Sequence, residues 1–349
     1  MGAPAAPQDA DDQALHFLAS EGYLPLALAD HPGMVEAYSN LFTKSHQFFA
    51  LPPESPQKTT YQAVSGPAAS EEGYSEIPGE KSILTTRTSN RCPEILHDDL
   101  KKAWDLTGAF MEKTISAIAL TLDLKPAVFA PFVTPCATFT ETKTPTQLRM
   151  FRYDRPTGTE PTVNAEKHKD LGLLSLVIGH SPGLEVLDVP NNTWMPIEED
   201  PCLPPGSKTR SGGLTATLLG GETLAFLSRG NYKAGVHRVV CAPVSATNND
   251  PFRFSIVYTL RPAVAPLHTK NFESEITGEF GAEERSEGTS SARLFDQIMR
   301  SHWNINAAKE VREKQREEQR MKREQLMAGE DKGVGVGVRV EEMGKPMSE

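Results

Sequence analysis

The stretch Glu166–Lys167–His168–Lys169–Asp170–Leu171–Gly172–Leu173–Leu174–Ser175–Leu176–Val177–Ile178 decides how this chain is read. On extended backbone, residues two apart point to the same side. His168 and Asp170 can then offer one metal ion an imidazole nitrogen and a carboxylate oxygen. A second His from elsewhere would complete three ligands on one face of an octahedron and leave the other positions open. The pattern alone is weak, since a chain of this composition holds roughly one His-x-acid by chance. A second copy, His97–Asp98–Asp99, precedes Leu-Lys-Lys-Ala-Trp, which reads as helix. On a helix, positions i and i+2 diverge, so His97 reads as a solvated helix residue.

Composition narrows the function classes. The chain has 349 residues, enough for one large domain or two small ones. A net charge of −10 argues against a nucleic-acid footprint. Cys92, Cys136, Cys202 and Cys241 lie far apart with no Cys-x-x-Cys, as in a reduced intracellular protein. The N-terminus lacks the basic start and apolar run of a signal peptide, and no apolar run is long enough to span a membrane. The expectation is a soluble cytoplasmic protein, monomer or homodimer, that acts on a small molecule and binds neither nucleic acid nor membrane.

The organisation changes along the chain. Residues 1–12 are small, acidic and Pro-containing and read as disordered. Residues 13–135 read as a helical region packed on a core. Within it, helix ends at about residue 20, a short strand covers 22–28, a second helix covers 32–49, and a third runs from 93 to 122 with a break near Leu106–Gly108. Residues 55–93 show little periodicity, and 73–81 reads as an ordered loop. From about residue 136 to 265 the period falls to two. Candidate strands are 147–153, 173–178, 184–189, 194–196, 215–219, 223–226, 236–242 and 252–260, separated by Gly-, Pro- and Asn-rich turns. Helices first and many short strands later imply an α+β chain with a β-barrel or jelly-roll core. Residues 200–214 read as a flexible insert. Residues 266–304 read as a docking segment with a short helix at 294–299, and 305–349 as a charged helix followed by a flexible tail.

Three further features stand in the strand-rich half. His237, in Lys-Ala-Gly-Val-His-Arg-Val-Val, is the candidate third ligand beside His168 and Asp170. Arg253 and Ser255, two apart on the last strand, share a face. A guanidinium fork and a hydroxyl there suit the far carboxylate of a dicarboxylic 2-oxo acid. Tyr153 closes the strand Leu148–Arg149–Met150–Phe151–Arg152–Tyr153, and its phenol can support the same carboxylate. His180, in a Gly-His-Ser-Pro-Gly turn, is the competing histidine. The chain lacks a Gly-x-Ser-x-Gly elbow, a His-Glu-x-x-His pair and a Gly-rich phosphate loop.

In order and context these motifs resemble the isopenicillin N synthase-like branch of the Fe(II)/2-oxoglutarate dioxygenase superfamily, especially its fungal members. The resemblance runs from about residue 14 to 300. It takes in Phe-Phe-Ala-Leu-Pro-Pro-Glu, Leu-Arg-Met-Phe-Arg-Tyr-Asp-Arg-Pro, His-Lys-Asp-Leu-Gly-Leu-Leu-Ser-Leu, Gly-Leu-Glu-Val-Leu-Asp, Val-His-Arg-Val-Val and Arg-Phe-Ser-Ile-Val-Tyr. It implies a double-stranded β-helix, a jelly-roll or cupin-like core with flanking helices. It implies His168, Asp170 and His237 as Fe(II) ligands, Arg253 and Ser255 as anchors for 2-oxoglutarate, and O2 as oxidant. Many relatives have Asn-Tyr-Tyr where this chain has Phe151–Arg152–Tyr153, so only the last Tyr carries over. The expected outcome is hydroxylation, desaturation or ring closure at a C–H bond of an amino-acid-derived or polyketide compound of fungal secondary metabolism. Arg87, Arg149, Tyr74 and Phe295 are candidates to line the substrate mouth. Two rival readings stay open: an iron oxidase that does not consume 2-oxoglutarate, and a catalytically silent ligand-binding barrel.

Overall fold

Alternation in the second half of the chain builds two facing sheets. The computed structural model describes residues 7–31, 33–64, 71–198, 213–245, 249–300, 302, 304–307 and 309–330. One sheet has seven strands in the order β1 (Tyr23–Leu26), β9 (Thr215–Gly220), β6 (Leu174–Gly179), β11 (Phe252–Leu260), β4 (Gln147–Asp154), β3 (Lys81–Thr86) and β2 (Gly73–Ile77). The other has four, in the order β5 (Thr162–His168), β10 (His237–Cys241), β7 (Leu184–Asp188) and β8 (Thr193–Pro196). From β4 onward the chain passes repeatedly from one sheet to the other, which makes a jelly roll, here the double-stranded β-helix. A small hairpin-like pair, β12 (Pro266–His268) and β13 (Glu287–Ser290), follows.

The helices cover one face. They are α1 (Pro7–Glu21), α2 (Met34–Ala50), α3 (Pro56–Thr59), α4 (His97–Thr121) and α5 (Ala130–Val133) ahead of the core, then α6 (Glu222–Leu227) and α7 (Ser291–Met299). Strand parity divides the apolar residues between two cores. Leu84, Leu148, Met150, Leu176, Ile178, Ile256 and Tyr258 pack with the helical residues Tyr38, Leu41, Trp104 and Ile115. Their neighbours of opposite parity, Ile83, Phe151, Tyr153 and Val177, meet Ala165, Leu184, Val186, Val239 and Cys241 of the four-stranded sheet. This second cluster fills the barrel interior. Trp104 ties the helical core to the barrel: its ring meets Tyr258 of β11 at 5.2 Å, and the indole N–H and the Tyr258 hydroxyl both donate to the Cys136 carbonyl, at 3.0 and 3.1 Å.

Residues from Ser301 onward form a separate unit, in which α8 (Lys309–Glu330) starts behind a loop. There the Arg312 guanidinium donates to the Ala307 carbonyl at 2.8 Å.

The structure departs from the sequence expectations at five places, the first being strand β5 (Thr162–His168), which is absent from the candidate strands. Residues 7–12 are helical, the start of α1; residues 1–6 lie outside the described residues. Residues 73–86 form the β2–β3 hairpin and not a loop. Residues 223–226 lie in helix α6 and not in a strand. Glu-Thr-Leu-Ala-Phe-Leu is a short apolar run of good helix formers with one β-branched residue, and Thr223 fixes it by donating to the Leu171 carbonyl at 2.6 Å. Helix α4 runs unbroken through Leu106–Gly108. The 200–214 insert is described only from residue 213, and the tail beyond 330 lies outside the described residues.

Gly108 explains why that helix needs no break there. A methyl group on Gly108 would overlap the carbonyl oxygen of Ala137, so the glycine is a contact point between helix and chain. Gly108→Val is expected to lower the free energy of unfolding by about 3 kcal/mol, the upper range for overpacking. Urea denaturation measures this, and a variant as stable as the parent would contradict the close approach.

Candidate metal centre and the groups around it

Antiparallel pairing of β5 with β10 puts His168 and His237 directly opposite each other. The two imidazole rings lie 4.1 Å apart between centroids. Asp170 follows two residues beyond the end of β5, and its Oδ1 is 3.8 Å from His168 Nε2. Each of the three side chains offers one ligand atom, and these atoms lie within 4.8 Å of one another. Among the described residues no other group of His, Cys, Asp and Glu converges in this way. His180, the competing histidine, lies instead against Phe42 and His46. His97 is the first residue of α4, half-exposed, with Nδ1 3.0 Å from Asp98.

The backbone fixes the tautomers. Nδ1–H of His168 donates to the Glu166 carbonyl at 2.8 Å, and Nδ1–H of His237 donates to the Gly235 carbonyl at 3.1 Å. Each Nε2 is therefore left with its lone pair available to a metal. Burial and the neighbouring His237 push the His168 imidazole down to about 3, against the pull of Asp170. Burial alone would raise the Asp170 carboxyl, but His237 and His168 outweigh it and hold it below the ordinary carboxylate range. Asp170 Oδ2 is buried without a hydrogen-bond partner. Two imidazoles with Nε2 free of backbone partners, one carboxylate and an orphaned buried oxygen suit a divalent cation. Three protein ligands leave positions open, unlike a closed four-ligand structural zinc site.

Strand register places the other candidates. Tyr153 of β4 pairs with Arg253 of β11, and Phe151 pairs with Ser255. Tyr153, Arg253 and Ser255 thus share the interior face, and the Arg253 guanidinium lies 5.5 Å from the Tyr153 ring centre. Burial raises the Tyr153 phenol, so it is a neutral hydrogen-bonding group.

Sequence reasoning missed Glu198. Its carboxylate accepts from Arg253 Nη2 at 2.9 Å, from the Leu184 N–H at 2.7 Å and from the Thr215 hydroxyl at 3.0 Å. The Arg253 and Glu198 side chains are 0% and 1% exposed, so their charges are met almost wholly by each other. Arg253 Nε donates to the carbonyls of Ser181 and Pro182, both at 3.1 Å, while Nη1 is buried without a partner. Burial would lower the Arg253 pKa, but Glu198 and its other neighbours leave it raised. Gly183 makes room, since a methyl group there would overlap the Arg253 side chain. In the sequence Glu198 opens an acidic run, Glu-Glu-Asp, that reads as solvated surface, and nothing in it signals a buried partner.

The four mouth candidates separate. Arg149 and Arg261 both bind the Glu71 carboxylate, at 3.1 and 2.6 Å, and Phe295 covers the Arg261 guanidinium at 5.0 Å. Arg87 Nε donates to the Thr144 carbonyl at 2.8 Å and the group lies within electrostatic reach of Glu71. Tyr74 is not at the mouth. It pairs with Leu84, so parity turns it to the helical side, where it packs on Phe48 and Phe49 and its hydroxyl donates to Glu76.

Comparison with known proteins agrees with this geometry. No protein-family model matches the chain. It is 32% identical over 114 residues to a 2-oxoglutarate-dependent dioxygenase, frbH, of Dothideomycetidae sp., covering 33% of this chain and 31% of that one. It is 27% identical over 204 residues to the sexual differentiation process protein isp7 of Schizosaccharomyces pombe, covering 56% and 44%. The aligned stretches thus span less than half the length of these curated relatives. Among solved structures it is similar to a full-length Neurospora crassa protein in complex with α-ketoglutarate and 5-formyluracil, with TM-score 0.62, 22% identity, and 83% and 89% of the two chains covered. It is also similar to the dioxygenase for auxin oxidation 1 of Arabidopsis thaliana, with TM-score 0.59, 16% identity, and 79% and 97% covered. The chain therefore has the double-stranded β-helix fold of the 2-oxoglutarate–Fe(II) oxygenases.

Anaerobic titration with Co(II), followed by its visible bands, is expected to give one site per chain in the parent and none in Asp170→Ala or His237→Ala. For the metal-free protein, His168 binds its proton only near pH 3 when folded but near 6.5 when unfolded, so the unfolded state holds more protons between those values. Stability is then fully present above about pH 6.5 and is lost as pH falls toward 3. In His168→Gln that part of the acid-side slope should vanish in denaturation curves run at several pH values.

Proposed function

We propose that this protein is a non-haem Fe(II)/2-oxoglutarate-dependent dioxygenase that oxidises a C–H bond of a small organic substrate. The observation that supports this best is the convergence of His168, Asp170 and His237 inside a barrel that also holds Arg253. His168 and His237 through Nε2, and Asp170 through its carboxylate, would hold the iron. Arg253 through its buried Nη1, with Ser255 and Tyr153 beside it, would hold the far carboxylate of 2-oxoglutarate. With O2, the bound iron and 2-oxoglutarate supply oxidation of a substrate C–H bond, the cosubstrate leaving as succinate and CO2. The chain's own contribution is to fix both imidazole tautomers, keep Asp170 ionised and exclude water from the interior. Fungal relatives with names such as 2-oxoglutarate-dependent dioxygenase frbH and oxidoreductase vrtI of Penicillium aethiopicum support a place in secondary metabolism. Hydroxylation, desaturation and ring closure are all open to this site, because they differ in how the substrate is held. Among the described residues no helix is long and apolar enough to cross a membrane, and we place the activity in the cytoplasm, in a monomer or homodimer.

A second reading has an observation in its favour. Glu198 already neutralises Arg253, as would suit an iron oxidase that has no second carboxylate to receive. Coupled succinate release decides between them. For the dioxygenase, one succinate should appear per substrate oxidised. Arg253→Ala should weaken 2-oxoglutarate binding by roughly a hundredfold, the worth of a charge-assisted hydrogen bond in a buried site. Binding is read as the visible charge-transfer band of the anaerobic Fe(II) complex. Turnover with no succinate formed would leave the oxidase standing.

A further inference from the structure

The barrel interior is basic at both ends, and only one end is accounted for by the cosubstrate. Register aligns the rows Lys81–Tyr153–Arg253, Ile83–Phe151–Ser255 and Thr85–Arg149–Val257 across β3, β4 and β11. These residues share the parity of the interior cluster. Continuing that parity past the strand ends puts Arg87 one such row and Arg261 two rows beyond Arg149, all at the opposite end from Arg253. The metal ligands lie toward this second end. The Leu173 N–H donates to the Leu260 carbonyl at 2.8 Å, which ties the segment after Asp170 to the Arg261 end of β11.

The charges at this end do not balance. Arg87, Arg149 and Arg261 gather near Glu71. Glu72, the other carboxylate nearby, is met by Lys143 at 2.6 Å. Among the described residues Arg149 and Arg261 thus share the single carboxylate of Glu71, and Arg87 lies between Glu71 and Glu72. The Nε atoms of Arg149 and Arg261 are buried with no hydrogen-bond partner among the described residues. Arg149 and Arg261 are 15% and 9% exposed, whereas Glu71 is 42% exposed and sits on the solvent side of the pair. Glu71 thus shows how a carboxylate docks here, bridged between two arginines, without satisfying the site.

We propose that this arginine row is the substrate's anchor: the substrate carries a carboxylate, which takes the Arg149–Arg261 pair in exchange for Glu71 or beside it. Phe295, over the Arg261 guanidinium, supplies an apolar wall for the substrate body. The proposal deepens the dioxygenase reading and rests on it for the place of the reacting C–H bond, but the anion site itself stands on the register and charge alone.

The test uses 3-phenylpropanoate and its neutral counterpart 3-phenylpropan-1-ol, titrated by calorimetry into the full chain with anaerobic Fe(II) and saturating 2-oxoglutarate, so that Arg253 is already occupied. The acid should bind and the alcohol should not. Arg149→Gln and Arg261→Gln should each weaken the acid by roughly tenfold. Glu71→Gln should tighten it several-fold, a gain that misfolding cannot produce. Equal binding of acid and alcohol, binding of neither, or acid binding that survives in the Arg149→Gln/Arg261→Gln double variant overturns the proposal. The charge-transfer band of bound 2-oxoglutarate, read in the same samples, separates the two claims. If the band is absent while the acid still binds, the dioxygenase reading fails and the anion site stands.

Discussion

The structure turns on one cross-strand pair. His168 and His237 are far apart in the chain and meet only because β5 and β10 pair in the register that sets them opposite each other. A slip of one residue would turn one imidazole to the other side of the sheet and leave Asp170 with a single partner. The register is held from several directions. His237 also pairs with Val186 of β7, and the β5–β10 ladder carries irregularities on either side of Val239. Such local departures re-aim side chains next to functional sites. Two carbonyls, one for each ring, then hold the imidazoles by their far nitrogens. The ligand geometry is thus a property of the backbone, settled before any ion arrives.

The barrel keeps its polar groups at its ends and apolar residues between them. At one end Arg253 and Glu198 are buried against each other, and Lys81 is buried beside them in the register, paired with Glu80 at 3.1 Å and donating to the Asn164 carbonyl at 3.0 Å. At the other, Arg149 and Arg261 share Glu71 and Arg87 lies nearby. A buried ion pair such as Arg253–Glu198 gives back in Coulomb energy much of what it costs to desolvate, so its main effect is to fix the orientation of a guanidinium. It leaves Nη1 of Arg253 buried without a hydrogen-bond partner. The Glu71 network differs in kind. Burial by itself would raise the Glu71 carboxyl, but Arg149 and Arg261 hold it at about 2. Glu71 remains partly open to solvent, so these pairs are screened and contribute less to stability than their short distances suggest.

The parts of the site legible in sequence are those written as local patterns. His168–Asp170 and Arg253–Ser255 each lie two apart on extended chain, and His237 sits in an alternating strand. Most strands around them show the same alternation, which reads as a β-barrel or jelly-roll core, but β5, Thr-Val-Asn-Ala-Glu-Lys-His, lacks an apolar alternation and is not legible as a strand. What stays hidden depends on distant partners. The β2–β3 hairpin is rich in Ser, Thr and Gly, which weakens its hydrophobic period, and it becomes visible only as the edge of a sheet. Tyr74 has the look of a mouth residue in sequence, and only its pairing with Leu84 fixes which way it faces. Glu198 stands in an acidic run and lacks any local sign of burial. Arg149 alone reads as strand packing and Arg87 as a surface salt bridge, and their place at one end of the barrel with Arg261 follows from a register that no single segment contains.

The central claim is that three side chains hold one ferrous ion and leave coordination positions open. Diffraction from crystals grown anaerobically with Fe(II), measured on both sides of the iron absorption edge, tests this most directly. One anomalous peak per chain is expected, within bonding distance of Nε2 of His168, an oxygen of Asp170 and Nε2 of His237, with no fourth protein ligand. A peak elsewhere, or one closed off by a fourth side chain, would contradict it.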